Sequence, residues 1–416
     1  MLFADQVKND LLNLIQEMSA QGNFSKEPGK HFSRKRKLDF STMMHFILSM
    51  EAGSLKKELH KYFSYNPSSA SASAFIQQRS KLSDNAFPHL FRSFNSHYTY
   101  SLYKSEYQLL AVDGSTFTYT RNERDQDSFF PPNVKSSKGY NQVHVVSSFD
   151  LLSKRYTDCI VQPIRKKNEF DALTNLIDRH IPHSGSKSIF IADRGFHSFN
   201  VFAHAIEHQA YFVIRATDVK AKRLLASDLP VNQDTFDICL DRILSRSSSR
   251  KKVLHPELSD QYRTICKKVS FDYIDSNLSP EYPISLRVLR FQISEDNYEY
   301  LITNLPPDEF SLEEIKELYH LRWGIETSFR ELLLYNFCSI ITDHVAVNKK
   351  GKKHMLQVNY SVAYDACHYL LRLHGGEESP KIESLIEKNF LPIRPNRKYA
   401  RQHRFRVPVS FLYRYA

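Results

Sequence analysis

Three acidic residues lie in local sequences that would deliver their carboxylates to one place. Asp113 and Asp193 each end an apolar run, and Gly114 and Gly195 follow them closely. Such a run is typical of a buried strand, and in the second motif Gly195 is typical of the residue that opens the turn after the strand. Glu326 lies instead in a segment of helical period. Carboxylates from two strand ends and one helix are the ligands that a pair of Mg²⁺ ions needs for phosphodiester chemistry.

The hydrophobic period of the chain changes near Gln108. Before it, apolar side chains recur at three- and four-residue spacing, which predicts helices over Asp5–Met18, Ser41–Met50, Ser54–Phe63, Ala70–Leu82 and Asn85–Phe94. After it, strands are predicted over Gln108–Phe117, Gln142–Phe149, Arg155–Gln162, Ser188–Asp193 and Ala210–Arg215, with helices over Asn168–His180 and Phe199–Glu207. Three strands followed by helix, strand, helix and strand is a mixed α/β order. It is the order expected for a ribonuclease H-like sheet.

Beyond residue 216 the pattern predicts a β-rich insertion, about residues 217–300, ahead of the helix that carries Glu326. Strands are predicted there over Gln261–Tyr273, Ile284–Ile293 and Tyr298–Thr303, and helices follow over Met355–Leu373 and Lys381–Phe390. The predicted organisation is therefore an all-α N-terminal domain of residues 1–105, a ribonuclease H-like catalytic domain of residues 106–340, and a helical, basic C-terminal region of residues 341–416.

The charge of the chain is positive and uneven. Lys and Arg number 57 against 46 Asp and Glu, which gives a net charge of +11. The excess concentrates in residues 30–37, 349–353 and 394–414. Clustered cations are typical of a polyanion-binding surface, because phosphate contacts depend on local cation density. A solvated basic surface remains the alternative for any single cluster.

The composition and the first twenty residues indicate which class of protein to expect. An apolar content of 41% and an aromatic content of 13% favour a globular fold. Five widely spaced cysteines without a CxxC pair suggest neither a disulfide framework nor a cysteine zinc site, and favour a reducing compartment. Charged residues interrupt the first twenty positions, which argues against a signal peptide, and no run is long enough to span a bilayer. We expect a cytoplasmic protein without a membrane partner.

The helix predicted over residues 311–335 has two distinct faces. At about 100° per residue, one face gathers Tyr319, Arg322, Trp323, Glu326 and Arg330. The opposite stripe, which we expect to pack on the core, consists of Leu318, Leu321, Ile325, Phe329 and Leu332. An ordinary amphipathic helix with a solvated charged face is the alternative. The only tryptophan of the chain lies on the polar face, which favours a stacking partner such as a nucleic-acid base, while packing at a domain contact carries equal weight.

These motifs resemble the cut-and-paste transposases of bacterial insertion sequences, in the DDE group marked by Tyr-x2-Arg-x3-Glu-x6-Lys. Tyr319, Arg322 and Glu326 fit that spacing, and the surroundings of Asp113 and Asp193 resemble the first and second aspartate motifs. The resemblance runs from Phe32 to the tail. The signature lysine is replaced by Leu333. Because that lysine is implied to contact DNA, the departure concerns the handling of DNA ends rather than the metal site, and Arg330 on the same face is a candidate substitute.

The resemblance implies a mechanism. Asp113 would bridge two Mg²⁺ ions, with Mn²⁺ as an alternative, while Asp193 and Glu326 would each hold one ion. Water would attack first, and the freed 3′-hydroxyl would then form a hairpin and finally attack target DNA. Tyr319 and Arg322 would hold the phosphate near the scissile bond, and Trp323 would stack on an unpaired base, a contact worth about 1 to 3 kcal/mol.

The resemblance also implies the partners, which are double-stranded DNA with terminal inverted repeats and target DNA. The N-terminal helices, with Arg34, Lys35, Arg36 and Lys37, would recognise the repeats, and Arg194 would line the DNA path. Lys135, Lys138, Tyr140 and Asn141 are further candidates for that path, although ordinary surface roles are favoured for them. A homodimer is expected because two DNA ends must be held together, and the expected location is the bacterial nucleoid.

Two other functions stay open at this point. A Mg²⁺-dependent nuclease of the same fold would cut DNA without joining it. A non-catalytic DNA-binding remnant is a third possibility, which Leu333 keeps open although all three carboxylates are intact.

Overall fold

The computed structural model describes residues 2–393 except for 52, 120, 135, 184, 217–228, 231–232, 248–260, 276–279, 295–296, 323–331, 346–355 and 375–378. Its first hundred residues form five helices, α1 Phe3–Gln21, α2 Phe40–Ser49, α3 Leu55–Tyr62, α4 Ala72–Arg79 and α5 Ala86–Ser96. Each of the five predicted helices is present, with ends shifted by a few residues. The Asp39 and Ser71 side chains accept hydrogen bonds from backbone amides of the first turns of α2 and α4, which explains where these two helices begin.

A mixed ten-stranded sheet follows. Its strands are β1 Tyr107–Tyr119, β2 Phe129–Phe130, β3 Tyr140–Asp150, β4 Arg155–Pro163, β5 Lys187–Ala192, β6 Tyr211–Ala216, β7 Phe236–Ser245, β8 Tyr262–Thr264, β9 Glu281–Ser294 and β10 Asn297–Thr303. The spatial order is β2-β3-β1-β5-β6-β10-β9-β7-β8, and β4 also pairs with β3, along Val143–Asp150. Strands β1, β3 and β4 are antiparallel neighbours, whereas β5 runs parallel to β1 and β6 parallel to β5. The prediction of a mixed α/β fold is confirmed.

The remaining helices lie between and after the strands. They are α6 Glu169–Asp178, α7 Phe199–Glu207, α8 Leu312–Leu321, α9 Leu332–His344, α10 Tyr360–Arg372 and α11 Ile382–Lys388. Strands β11 Leu356–Gln357 and β12 Leu391–Pro392 form a separate pair. None of the helices in the described ranges is long and apolar enough to cross a membrane.

The predictions after residue 216 needed four corrections. Helix α9 continues to His344, beyond the predicted helix end at residue 335. Strand β7 was not predicted, although Phe236, Ile238 and Leu240 alternate with polar residues along it. The strand predicted over Gln261–Tyr273 is only three residues long. The helix predicted over Met355–Leu373 begins at Tyr360, because the residues just before it form β11. The β-rich segment extends the central sheet, since β10 pairs with β6 and β9 pairs with both β10 and β7.

The two faces of the sheet are covered by different helices. Leu110, Val112 and Phe190 pack with α6 and α7. Leu109 and Ile191 lie on the other face, where they pack with α8, and Ala111 packs there with α9. This division follows from the two-residue alternation of side chains along a strand. Burial on both faces explains why the central strands read as continuous apolar runs.

The N-terminal helices share a hydrophobic cluster with the helices that follow the sheet. The cluster joins α1, α2 and α5 to α9, α10 and α11. One polar contact across it is made by His45, whose Nδ1 lies 2.9 Å from the Tyr62 hydroxyl and whose Nε2 lies 2.6 Å from the Leu371 carbonyl oxygen. The division of the chain into domains at residues 105 and 340 stays a prediction.

His45 makes the stability of this helical cluster sensitive to acid. Burial lowers the pKa of its imidazole from 6.5 to about 4. As the pH falls from 6.5 to 4, the unfolded chain binds a proton that the folded chain does not, so the free energy of unfolding decreases by about 3 kcal/mol. We expect His45→Gln to reduce this dependence, measured by urea unfolding at several pH values. The exposed His97→Gln variant serves as the control, and an equal pH dependence in both variants would contradict the assignment.

Candidate active site

Asp113 and Asp193 lie side by side. Strands β1 and β5 pair in parallel, with Val112 opposite Ala192, and each aspartate is the next residue along its chain. Neighbouring strands are about 4.8 Å apart, so the two carboxylates start from adjacent backbone positions. Both residues are partly exposed, which leaves them accessible from solvent.

Local hydrogen bonds orient both carboxylates. Asp113 Oδ1 accepts the Gly114 amide at 2.8 Å, and Asp193 Oδ1 accepts the Gly195 amide at 2.7 Å. The second bond also caps the short 3-10 turn Arg194–Phe196, which carries the chain away from the sheet. Because both donors are uncharged backbone amides, these two hydrogen bonds orient the carboxylates without neutralising their negative charge.

Glu326 lies outside the described residues, together with Trp323 and Arg330. The helices on either side of this segment are described. Helix α8 packs against β5 and β6, and α9 packs against β4. Both helices cover the face of the sheet to which Asp113 belongs, because Asp113 alternates in step with Leu109 and Ala111.

The orientation of α8 corrects the predicted faces of this helix. Tyr319 was expected on the polar face, but its side chain is only 2% exposed and packs with Ile315 and Leu318. Leu321 was expected in the core and is 46% exposed. The buried residues are spaced by three and four positions, so the aromatic ring, rather than Leu321, completes the apolar stripe. Burial raises the pKa of the Tyr319 hydroxyl.

Arg322 was also expected on the polar face, but it is buried at the end of α8, with 4% of its surface exposed. Its guanidinium carbon lies 5.6 Å from the centre of the Tyr319 ring. Nearby on the sheet, Arg215 of β6 forms an ion pair with the buried Glu299 of β10 at 2.8 Å. Charged groups are thus gathered where the chain leaves α8 toward residue 323.

Comparison with known proteins decides the family. Residues 104–338, more than half of the chain, match the profile of the family described as Transposase DDE domain. The chain belongs to this family.

Solved structures include one that is similar to the chain over much of its length. It is a piggyBac transposase synaptic complex with hairpin DNA, determined by cryo-EM. The similarity covers 92% of this chain and 76% of that chain, with 12% sequence identity and a TM-score of 0.38. A similarity at this level identifies neither a site nor a mode of DNA binding. No curated protein matches the sequence.

Two residues beside the glycines that follow the aspartates of this DDE domain were not predicted. His144 of β3 and Glu169, the first residue of α6, form a contact of 3.1 Å between Nε2 and Oε1. A Cβ atom on Gly114 would lie 2.7 Å from the His144 Nε2 and 3.4 Å from the Glu169 Oε1. The imidazole therefore fills the space that a side chain at residue 114 would need.

Glu169 also reaches the turn that follows Asp193. A Cβ atom on Gly195 would lie 2.9 Å from Asp193 Oδ1 and 3.3 Å from Glu169 Oε2, so both carboxylates lie close to the space beside this glycine. The hydrogen bond from His144, together with the nearby Lys167, lowers the pKa of Glu169. The sequence did not single out Glu169, because acidic residues are common in the first turn of a helix, where they interact favourably with the helix dipole.

The other residues predicted to contact DNA differ in their exposure to solvent. Arg194 is exposed directly after Asp193, and the basic string Arg34–Lys37 is exposed between α1 and α2. Asn141 is buried and bonds to the Asn122 carbonyl, which is a structural role in a turn. Leu333, at the position of the signature lysine, is buried in the cluster that contains α9.

Proposed function

We propose that this chain is a DNA transposase that cleaves the ends of its element and joins the freed 3′-hydroxyl to target DNA. The observation that carries the proposal is the parallel pairing that brings Asp113 beside Asp193 within a Transposase DDE domain. Carboxylates so placed are the oxygen donors that Mg²⁺ and Mn²⁺ prefer.

The catalytic core is proposed to be ribonuclease H-like. Support comes from the strand order β4-β3-β1-β5-β6, in which three antiparallel strands are followed by two strands parallel to β1. Strands β7 to β9 then correspond to the β-rich insertion, and the domain of residues 106–340 contains both parts.

Glu326 is proposed as the third carboxylate. The chain enters residues 323–331 from α8 and leaves them into α9. Both helices lie on the face of the sheet to which Asp113 belongs. The segment of residues 323–331 is therefore preceded and followed by helices on that face. This arrangement supports a site completed by an acid from that segment.

Asp113, Asp193 and Glu326 would hold two divalent ions. When bound, these ions supply activation of the attacking oxygen and stabilisation of the leaving oxygen. In this proposal Asp113 would contribute to holding both ions. The Gly114 and Gly195 amides keep the aspartates in orientation, and Glu169 adds negative charge beside the Asp193 turn.

The remaining residues of the proposal bind DNA. Arg322 and the exposed Arg194 would contact phosphate, and Trp323 and Arg330 keep their proposed roles in stacking and in end binding. For Tyr319 we propose a changed role, in which its buried ring holds the Arg322 side chain rather than touching DNA itself. The exposed string Arg34–Lys37 would bind the terminal inverted repeats, and two protomers would hold two ends together.

The test uses labelled DNA taken from both flanks of the reading frame. Purified protein is incubated with this DNA and with a supercoiled target plasmid in Mg²⁺, and the products are separated on denaturing gels. Hairpin ends and joined products are expected for the hairpin-forming transposase. Cleavage without either product would identify a nuclease, and binding without cleavage would identify the non-catalytic remnant. Either of these two outcomes contradicts the proposal.

A further inference from the structure

A second group of metal-ligating side chains lies away from the aspartate pair, at the adjoining ends of α6 and α7. It consists of Asp178, the last residue of α6, and His204 and His208, four residues apart at the end of α7. We call this group the His–Asp cluster. One ligand atom from each of the three residues lies within 4.8 Å of the other two.

The distances in the His–Asp cluster are close to those of a metal site. Asp178 Oδ1 lies 2.6 Å from His204 Nδ1 and 3.2 Å from His208 Nε2. Ligands about 2.0 to 2.1 Å from a tetrahedral zinc ion are roughly 3.3 Å apart. The two separations from Asp178 Oδ1 therefore lie within about 0.7 Å of that value, and the two imidazole nitrogens lie within 4.8 Å of each other.

His204 is oriented by a second carboxylate on its other ring nitrogen. Its Nε2 lies 2.9 Å from Asp272 Oδ2. Asp272 is in turn held by two hydrogen bonds to the side chain of Asn200. Asn200 Nδ2 donates to Asp272 Oδ2 at 2.8 Å, and Asn200 Oδ1 accepts the Asp272 backbone amide at 2.9 Å. A ligating histidine commonly donates its distal N–H to a carboxylate, because this bond fixes the tautomer and the ring orientation. The chain Asn200–Asp272–His204 has this arrangement.

The surroundings favour a cation with an accessible fourth position. The side chain of His204 is only 10% exposed, whereas those of Asp178 and His208 are each more than a third exposed. One side of the cluster is thus fixed in the protein and the other is open to water. Both helices also direct their C-terminal ends, which carry partial negative charge, toward the cluster.

We propose that Asp178, His204 and His208 form a zinc site, with Asp272 as the residue that positions His204. Two imidazole nitrogens and one carboxylate favour zinc over Mg²⁺, which takes oxygen ligands. The site would therefore discriminate against the ion that the aspartate pair prefers. It is independent of the proposed transposase reaction, because none of its residues belongs to that site.

A metal in the His–Asp cluster would clamp two helices that frame the aspartate pair. Helix α6 begins at Glu169, and α7 follows the turn that starts at Asp193. Joining their far ends would limit movement of one helix against the other. The proposed role is structural, so its effect is sought in stability and metal content rather than in DNA cleavage.

The experiment measures zinc binding by the full chain in excess Mg²⁺, which occupies oxygen-ligand sites. Equilibrium dialysis with elemental analysis gives the stoichiometry, and thermal unfolding gives the stabilisation. We expect the unaltered chain to bind one zinc more than His208→Ala and to melt at a higher temperature with zinc than without it. Asp178→Asn is expected to lose the same equivalent. Asp272→Asn is expected to retain the site with about 10- to 100-fold weaker affinity.

His97→Ala, which removes an exposed histidine elsewhere, is the matched control and should bind zinc like the unaltered chain. The exposed thiols of Cys239 and Cys266 are alternative zinc ligands, and the difference between variants removes their contribution. His208 is exposed, so its replacement should leave the fold intact, which circular dichroism checks. Equal zinc binding by the unaltered chain and His208→Ala would overturn the proposal and leave the cluster as a set of ion pairs between α6, α7 and Asp272.

Discussion

Asp193→Asn is expected to lower the rate of DNA cleavage by about a thousandfold, equivalent to about 4 kcal/mol of transition-state stabilisation. The asparagine has nearly the same shape and keeps an oxygen that can accept the Gly195 amide, so the turn after β5 should persist. It lacks the charge with which the aspartate would hold a divalent ion. The measurement is single-turnover cleavage of labelled end-containing DNA at saturating Mg²⁺.

The matched control for this prediction is Asp84→Asn, which removes an exposed acid at a position outside the site. It should cleave at the rate of the unaltered protein. The cleavage rates of Asp113→Asn and Glu326→Gln are expected to fall by the same factor as that of Asp193→Asn. Normal cleavage by Asp193→Asn would remove both the transposase and the nuclease schemes as proposed.

Glu169→Gln is expected to reduce cleavage by about 10- to 100-fold, the range typical of residues that support metal ligands. The amide keeps the size of the side chain next to Gly114 and Gly195 but removes its negative charge. Since that charge lies beside the Asp193 turn, the variant should also need more Mg²⁺ for half-maximal rate. A Mg²⁺ titration of the cleavage rate measures both effects.

Glu313→Gln is a suitable control for this second prediction, because Glu313 is likewise an acid in the first turn of a helix but is exposed on α8. A purely structural role for Glu169 would lower the melting temperature without moving the Mg²⁺ dependence. An unchanged Mg²⁺ dependence in Glu169→Gln would thus refute its role as a supporting residue of the site.

Local sequence patterns were sufficient for elements that bury one side or lie wholly inside. The five N-terminal helices and the strands β1, β3, β4, β5 and β6 were all predicted within a few residues of their observed ends. The reason is that helical or continuous apolar periodicity is set by neighbouring residues. Strand β7 was missed even though Phe236, Ile238 and Leu240 alternate with other residues along it.

The face of α8 shows a different limit. Ile315, Leu318 and Tyr319 are the buried residues, and an assignment by polarity alone placed the tyrosine outside and Leu321 inside. A tyrosine side chain combines a large apolar ring with one polar hydroxyl, so the residue type alone does not decide whether the side chain is buried or exposed. Packing of α8 on β5 and β6 settled the orientation.

The sequence alone determined that Asp113 and Asp193 each follow a buried apolar run, that the order of elements is mixed α/β, and that positive charge is clustered. The expected strand end is found after β5, whereas β1 continues through Asp113 to Tyr119. Only the tertiary structure decided that these two strands are parallel neighbours with Val112 opposite Ala192. It also brought His144 and Glu169 to the glycines that follow the aspartates, and His204 between Asp178 and Asp272. The physical reason is that hydrogen bonds between strands and contacts between helices join residues far apart in the chain, whereas periodicity records only the burial of each element.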